Sequence, residues 1–232
     1  MTAVTPQLLG RHVEHDERSR QFRAMGYPRR AASDVVWKHY GPVLDQNRQG
    51  PNRTPLGSCT GNAAAQCLNT APYRSALHVY TNRRAVEFYS GATRCDTFYG
   101  EYPPVDAGSS GLGVAKYLNS KNLIHGYSHV FGLDHAKAAI QLGPFITGTK
   151  WLEGMFEPNA DGSLNVTGGD VGGHEYLVVG RVNGRWWFLN SWSDRWGGKL
   201  PAARLHGGAF SMTDAEYGAL LEDEGDATCF GR

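Results

Sequence analysis

The stretch Leu56-Gly57-Ser58-Cys59-Thr60-Gly61-Asn62-Ala63 decides how this chain is read. Gly57-Ser58 signals a turn, and the run Asn62-Ala63-Ala64-Ala65-Gln66-Cys67-Leu68 behind it has strong helix propensity. Cys59 therefore falls where a glycine turn opens a helix. Unsatisfied backbone N–H groups at such a start favour a thiolate. Two later motifs answer it. Gly172-Gly173-His174-Glu175-Tyr176 places a histidine at the head of a strand, and Leu189-Asn190-Ser191-Trp192 places an asparagine near the end of the next strand. In that order the three side chains read as a nucleophile, its base and the base's orienter.

The chemistry explains why these residue types are needed. A thiol with its ordinary pKa of about 8.5 is only slightly ionised at neutral pH, and a helix start and a neighbouring imidazolium both favour the thiolate. Cys59 is expected to have both. His174 would hold the proton during attack on a carbonyl and then deliver it to the leaving amine. Asn190 would accept from the other ring N–H, with Trp192 as a supporting residue that shields this bond from water. The Cys59 backbone N–H supplies one donor for the developing oxyanion.

The hairpin carrying the last two motifs provides a geometric test. Val182-Asn183-Gly184 lies at its tip, and two turn readings compete. A two-residue Asn183-Gly184 loop would place Asn190 opposite Leu177, on the face away from His174. A three-residue loop with Gly184 in a bulge would place it opposite Tyr176, whose side chain shares the His174 face. The three-residue register is expected. The two-residue register without a compensating bulge would break the site.

The motifs Gly57-Ser58-Cys59, Gly172-Gly173-His174 and Asn190-Ser191-Trp192, with Trp196-Gly197 following, resemble those of the papain family of cysteine peptidases. The resemblance runs from about Pro42 to Phe210. It implies an α+β, two-lobe papain-like fold: a helical lobe carrying the cysteine and an antiparallel β-barrel lobe carrying histidine and asparagine. Leu56 stands where the family has an earlier cysteine, and Thr60 follows the nucleophile. The run Gly-Ser-Cys-Thr-Gly-Asn-Ala is similar to the bacterial and bacteriophage branch. The separation of Cys59 and His174 is somewhat shorter than the roughly 130–150 residues of papain and the cathepsins.

The family also places an oxyanion-hole glutamine about six residues before its nucleophile, where this chain has Arg53. Pro42-Val43-Leu44-Asp45-Gln46 resembles the segment that carries it, followed by an insertion from Asn47 to Pro55. Gln46 is preferred to Gln49 because Asp45 precedes it. Ser109-Ser110-Gly111 replaces the glycine loop that pairs with substrate backbone, so Ser110, Gly111 and Gly173 are the expected substrate-binding residues; a plain loop and helix cap before Leu112 is the competing reading of Ser109-Ser110-Gly111.

The implied activity is hydrolysis of a peptide or isopeptide bond through a thioacyl intermediate. Two alternatives stay open: a catalytically silent papain-like binding or assembly module, favoured by the displaced glutamine, and a cell-wall peptide hydrolase, suggested by the branch alone. The partner is a peptide or protein substrate, with no cofactor expected.

Composition is compatible with this and narrows the partners. The chain has 232 residues and 41% hydrophobic content, enough for one large domain or two small lobes. Lys+Arg 23 against Asp+Glu 22 leaves no basic field to propose nucleic acid. No run approaches the roughly 20 apolar residues of a membrane span, and the N-terminus lacks the apolar stretch of a secretory signal, so no membrane partner is expected. The expected location is cytoplasmic, or virion-associated or released if the source is a bacteriophage. Of the four cysteines, Cys67 reads as a small buried residue, and no disulfide scaffold is expected.

Residues 1–40 are polar and arginine-rich, and read as an N-terminal strap or a short pro-like segment. Residues 41–232 read as the catalytic domain, with the helical lobe over about 41–140 and the β-rich lobe over about 141–220 together with the strap. Helices are expected over Ala85 to Tyr89, Leu112 to Leu118 and Asp134 to Ile140, and strands over Phe145 to Trp151, Tyr176 to Arg181 and Arg185 to Ser191. His12-Val13-Glu14-His15-Asp16 lacks zinc-motif spacing, and no metal site is assigned. Gly126, between His125 and His129, argues for a loop, and Glu222-Asp223-Glu224 reads as a solvated terminus.

Overall fold

Short local signals along the chain become thirteen regular elements in the computed structural model, which describes residues 9–13, 16–24 and 33–231. In chain order these are β1 (Val35–Val36), α1 (Cys59–Leu68), α2 (Asn82–Thr93), α3 (Gly111–Ser120), β2 (Tyr127–Val130), α4 (Leu133–Ile140), β3 (Phe145–Leu152), β4 (Asp170–Val182), β5 (Arg185–Leu189), β6 (Gly198–Leu200), β7 (Leu205–Thr213), α5 (Asp214–Glu222) and β8 (Asp226–Phe230). Among the described residues, no helix is long and apolar enough to cross a membrane.

Helix α1 is buried along all ten residues, as its small side chains allow. A Cβ at Gly61 would overlap the backbone of α2 at Ala85 and Tyr89, so glycine there sets how closely α1 and α2 approach. The other side of α1 packs against β3 and β4. One core joins Ala63, Ala64, Cys67 and Leu68 of α1 to Phe88, Val114, Ile146, Leu177 and Leu189. A second, aromatic core on the other side of the sheet gathers Trp151, Tyr176, Trp186, Phe188, Trp192, Phe210 and Tyr217. The nucleophile helix is thus wedged between helices and sheet.

The sheet is antiparallel, in the order β2-β8-β3-β4-β5-β7-β6, with β1 paired to β4. It is open, where a closed barrel was expected: the path ends at the short strands β2 and β6, which do not pair with each other. The fold class is α+β and papain-like, as expected. His129, expected in a loop, lies in β2, which hydrogen-bonds to β8. Glu222-Asp223-Glu224 forms the bend between α5 and β8, not a terminus; Asp223 pairs with Lys150 at 2.6 Å.

The hairpin corrects the expected turn while keeping the expected register at the site. Val182 pairs with Arg185, so the loop is the two-residue Asn183-Gly184, with left-handed φ of 50° and 75°. Both angles suit a tight type I′ turn, which matches strand twist. The register then shifts between Val178 and Gly180, and Leu189 faces Leu177. Val179 is the extra residue. The bulge returns Asn190 to the His174 side, which the turn alone would not have done.

Candidate active site

Cys59 is the first residue of α1, and the turn before it is held from three directions. Asp106 accepts from the Gly57 N–H at 2.9 Å, and Tyr89 donates to the same carboxylate at 2.6 Å. Ser58 Oγ donates to Gln49 Oε1 at 2.7 Å, and the Asn62 amide donates to the Ser58 carbonyl at 2.9 Å. Asp106 and Tyr89 were not singled out from sequence, because their link to Gly57 spans distant segments.

His174 enters from β4 and Asn190 from the end of β5. Their side chains meet at 2.7 Å between His174 Nε2 and Asn190 Oδ1, with both residues fully buried. The Nε2–H donates to the amide oxygen, which also accepts from the Ser191 N–H at 2.7 Å. Among the described residues, His174 Nδ1 has no hydrogen-bond partner. Trp192 stacks on the ring at 4.9 Å with a 27° interplanar angle, and Trp151 meets it edge-on at 4.9 Å. Trp192 was read from its motif. Trp151 was not, since its role depends on β3 pairing with β4.

Gln46 and Gln49 are separated by function. Gln46 is buried; its N–H donates to the Ser191 carbonyl, and its Oε1 accepts from Ser191 Oγ at 2.6 Å. Its Nε2 lies 3.4 Å from the Leu56 carbonyl. Gln49 belongs to the inserted turns and binds Ser58, Asn62 and Asn82. Gln46 thus sits between the asparagine motif and the cysteine motif, whereas Gln49 braces the helix start. Ser110 caps α3 through a bond from the Gly113 N–H at 3.1 Å.

The N-terminal segment lies across this region. Arg11 N donates to Gly173 O at 3.1 Å, Ser109 N to Gly10 O at 2.9 Å, and His12 N to Ser109 O at 3.2 Å. Leu9 to His12 thus bridges the helical side, at Ser109, and the sheet side, at Gly173. His12 stacks on Phe98 at 3.5 Å, while Glu14 and His15 lie outside the described residues.

Burial inverts the ionisation expected from sequence. Desolvation pushes the Cys59 thiol up to about 12, assisted by the nearby Glu175 charge, and backbone groups of Glu175, Gly10 and Thr60 only partly oppose it. Desolvation lowers His174 to about 4, against the smaller effect of its Asn190 bond. With the segment in place, the pair is a neutral thiol and a neutral imidazole at neutral pH, not the expected thiolate and imidazolium. All four cysteines are free thiols, and Cys67 is buried as expected.

The chain places Cys59 at the start of a helix and the His174–Asn190 pair on the sheet, and it has the fold of papain-like cysteine proteases. It is similar to xylellain, a cysteine protease from Xylella fastidiosa, at 16% identity over 99% of each chain with a TM-score of 0.58. It is similar to procathepsin B S9 from Trypanosoma congolense at 13% identity, over 97% of this chain and 86% of that one, with a TM-score of 0.62. A recombinant stem bromelain precursor aligns with 95% of this chain and 74% of its own, at 15% identity and a TM-score of 0.51. No family model and no curated protein matches the sequence.

Proposed function

We propose that this chain is a cysteine peptidase that hydrolyses peptide or isopeptide bonds with Cys59, His174 and Asn190. The observation that carries this is the buried 2.7 Å bond from His174 Nε2 to Asn190 Oδ1, which fixes the tautomer and leaves Nδ1 for the thiol proton. The Cys59 sulfur attacks the scissile carbonyl carbon while its proton passes to His174. The tetrahedral oxyanion accepts from the Cys59 N–H and from Gln46 Nε2, which the Ser191 bond to Oε1 orients. His174 returns the proton to the amine, the C–N bond breaks, and water hydrolyses the thioester. Ser110, Gly111 and Gly173 line the substrate backbone path.

Residues 1–40 act in this reading as a short pro-like strap of a catalytic domain spanning 41–232, and the form described here is the closed one. The Gly-Ser-Cys-Thr-Gly-Asn-Ala run supports placement in the bacterial and bacteriophage branch. The test is labelling by an epoxide thiol inhibitor. Labelling of the full chain that disappears in Cys59→Ala is expected, with cleavage of a peptide substrate; a chain that never labels at Cys59, even after the N-terminal segment is trimmed, would be a silent module. Peptides compared with purified wall fragments separate a general peptidase from a wall hydrolase.

A further inference from the structure

The Asp106 carboxylate ties together two walls of the cleft that come from distant parts of the sequence. Its Oδ2 accepts from the Gly57 N–H at 2.9 Å, two residues before Cys59, and its Oδ1 accepts from the Tyr89 hydroxyl at 2.6 Å. The same hydroxyl oxygen accepts from the Gly108 N–H at 3.0 Å, at the start of the Ser109-Ser110-Gly111 edge. The bonds form one relay, from the nucleophile turn through Asp106 and Tyr89 to the edge. Tyr89 is fully buried and anchored against α1 itself, since a Cβ on Gly61 would lie 2.6 Å from the Tyr89 nitrogen. Tyr102 packs against its ring at 5.4 Å.

The relay spans a slot one backbone thick. Gly10 passes between the walls: a Cβ on Gly10 would lie 1.9 Å from the Gly57 carbonyl oxygen, and one on Gly108 would lie 2.6 Å from the Gly10 carbonyl oxygen. Ser109 N donates to Gly10 O at 2.9 Å, so a backbone lying in the slot is bonded to its edge. A Cβ on Gly57 would lie 2.8 Å from Asp106 Oδ1, which puts the carboxylate directly against the turn. A carboxylate is the group this position needs, because its two oxygens accept from an N–H and an O–H at once, whereas an amide would turn a donor toward one of them. The edge has a second anchor, Asp96, which accepts from Ser109 Oγ at 2.6 Å, and Asp106 is an exposed residue. Cutting the relay therefore leaves the loop attached.

We propose that Asp106, acting through Tyr89, is a positioning residue that fixes the spacing between the Cys59 turn and the Ser109-Ser110-Gly111 edge, and with it the place of a substrate backbone relative to the thiol. The proposal rests on the peptidase reading above. Neither side chain enters the chemistry; each acts through the backbone N–H it holds, and reaction rate depends steeply on such placement.

The test compares Tyr89→Phe, Asp106→Ala and the double variant in cleavage of one peptide, in a full-length chain that also carries Gly10→Val so that the strap does not compete. Tyr89→Phe frees the Gly108 N–H but leaves Gly57 bonded to Asp106, so KM should rise about tenfold, as loss of one hydrogen bond implies, with kcat kept within about twofold. Asp106→Ala frees the Gly57 N–H, and kcat should fall about tenfold. Because the bonds form one relay, the double variant should lose less in kcat/KM than the product of the two single losses. Single losses that multiply, or variants that melt earlier without this division between KM and kcat, would overturn the proposal and leave Asp106 and Tyr89 as ordinary packing. If neither the Gly10→Val chain nor the unsubstituted chain cuts a peptide, the peptidase reading fails, and amide hydrogen exchange on the full-length chain decides the relay. Asp106→Ala should then speed exchange at Gly108 as well as at Gly57; a change confined to Gly57 refutes the coupling.

Discussion

Gly10→Val tests whether the N-terminal segment controls the thiol. A Cβ at position 10 would overlap the Gly57 carbonyl, a backbone group pinned by the Asp106 bond to the Gly57 N–H and unable to move aside. The segment cannot seat with valine there, and Cys59 becomes solvated. In the closed form the thiol is pushed up to about 12. At pH 7.5 its thiolate fraction is then ~3 × 10⁻⁵, against ~0.1 for a thiol with the ordinary pKa of about 8.5. The ratio sets a rise of about three-thousandfold in alkylation rate as the expected ceiling, since only the thiolate reacts. The assay is timed iodoacetamide labelling with peptide-resolved mass spectrometry, so that Cys95 and Cys229, both partly exposed, act as internal controls. The Cys59 rate should rise while theirs stay unchanged. Equal Cys59 rates in the two proteins would refute the covering role and locate the cause of the raised thiol pKa in the lobes alone.

Two further outcomes follow from the side chains around the site. Ser191→Ala removes the donor to Gln46 Oε1, so the Gln46 amide loses its orientation; kcat should fall about tenfold, in line with about 1.4 kcal/mol of transition-state stabilisation, while the Cys59 labelling rate is unchanged. Asp214 receives both arms of Arg181, at 2.9 and 2.7 Å, and the Trp186 N–H at 2.8 Å, and the Arg181 bond lowers it from 3.8 to about 2. Its stabilisation is fully present above about pH 4 and is lost as pH falls towards 2. Asp214→Asn should therefore cost about 1–2 kcal/mol at pH 7, after discounting for a partly exposed pair, and little at pH 2; thermal melts at both pH values check this.

The site was legible where the signal was local. A glycine turn before an alanine-rich run located Cys59, and strand patterning located His174 and Asn190, because each depends on residues a few positions away. What escaped depends on distant partners. Arg11 bonds to Asp226 across nearly the whole chain, and a single arginine in an arginine-rich polar stretch carries no mark of that pairing. Strand β7 was missed because His206-Gly207-Gly208 interrupts its alternation before Ala209 to Met212 turns apolar. The open sheet was equally invisible, since closure is decided by whether β2 and β6 pair, not by either strand's own residues.

The hairpin joins these two kinds of information. Asn183-Gly184 is a strong local signal for a two-residue turn, and the turn forms as that signal dictates. Taken alone it would have pointed Asn190 away from His174. The bulge at Val179 reverses this, and the N-terminal strap is attached there: Trp37 N donates to Val179 O at 2.8 Å, and Val35 and Val36 pair with Arg181 and Gly180. A Cβ at Gly180 would overlap the Val35 carbonyl, so the strap lies directly on the bulged strand. Two of the contacts made by the described N-terminal residues bear on the site. Residues 9–13 cover the thiol, and residues 35–37 rest on the bulge that aligns the histidine with its asparagine. In the proposed reading, release of the first contact would expose the site without requiring loss of the second, as a removable cover on a registered histidine–asparagine pair demands.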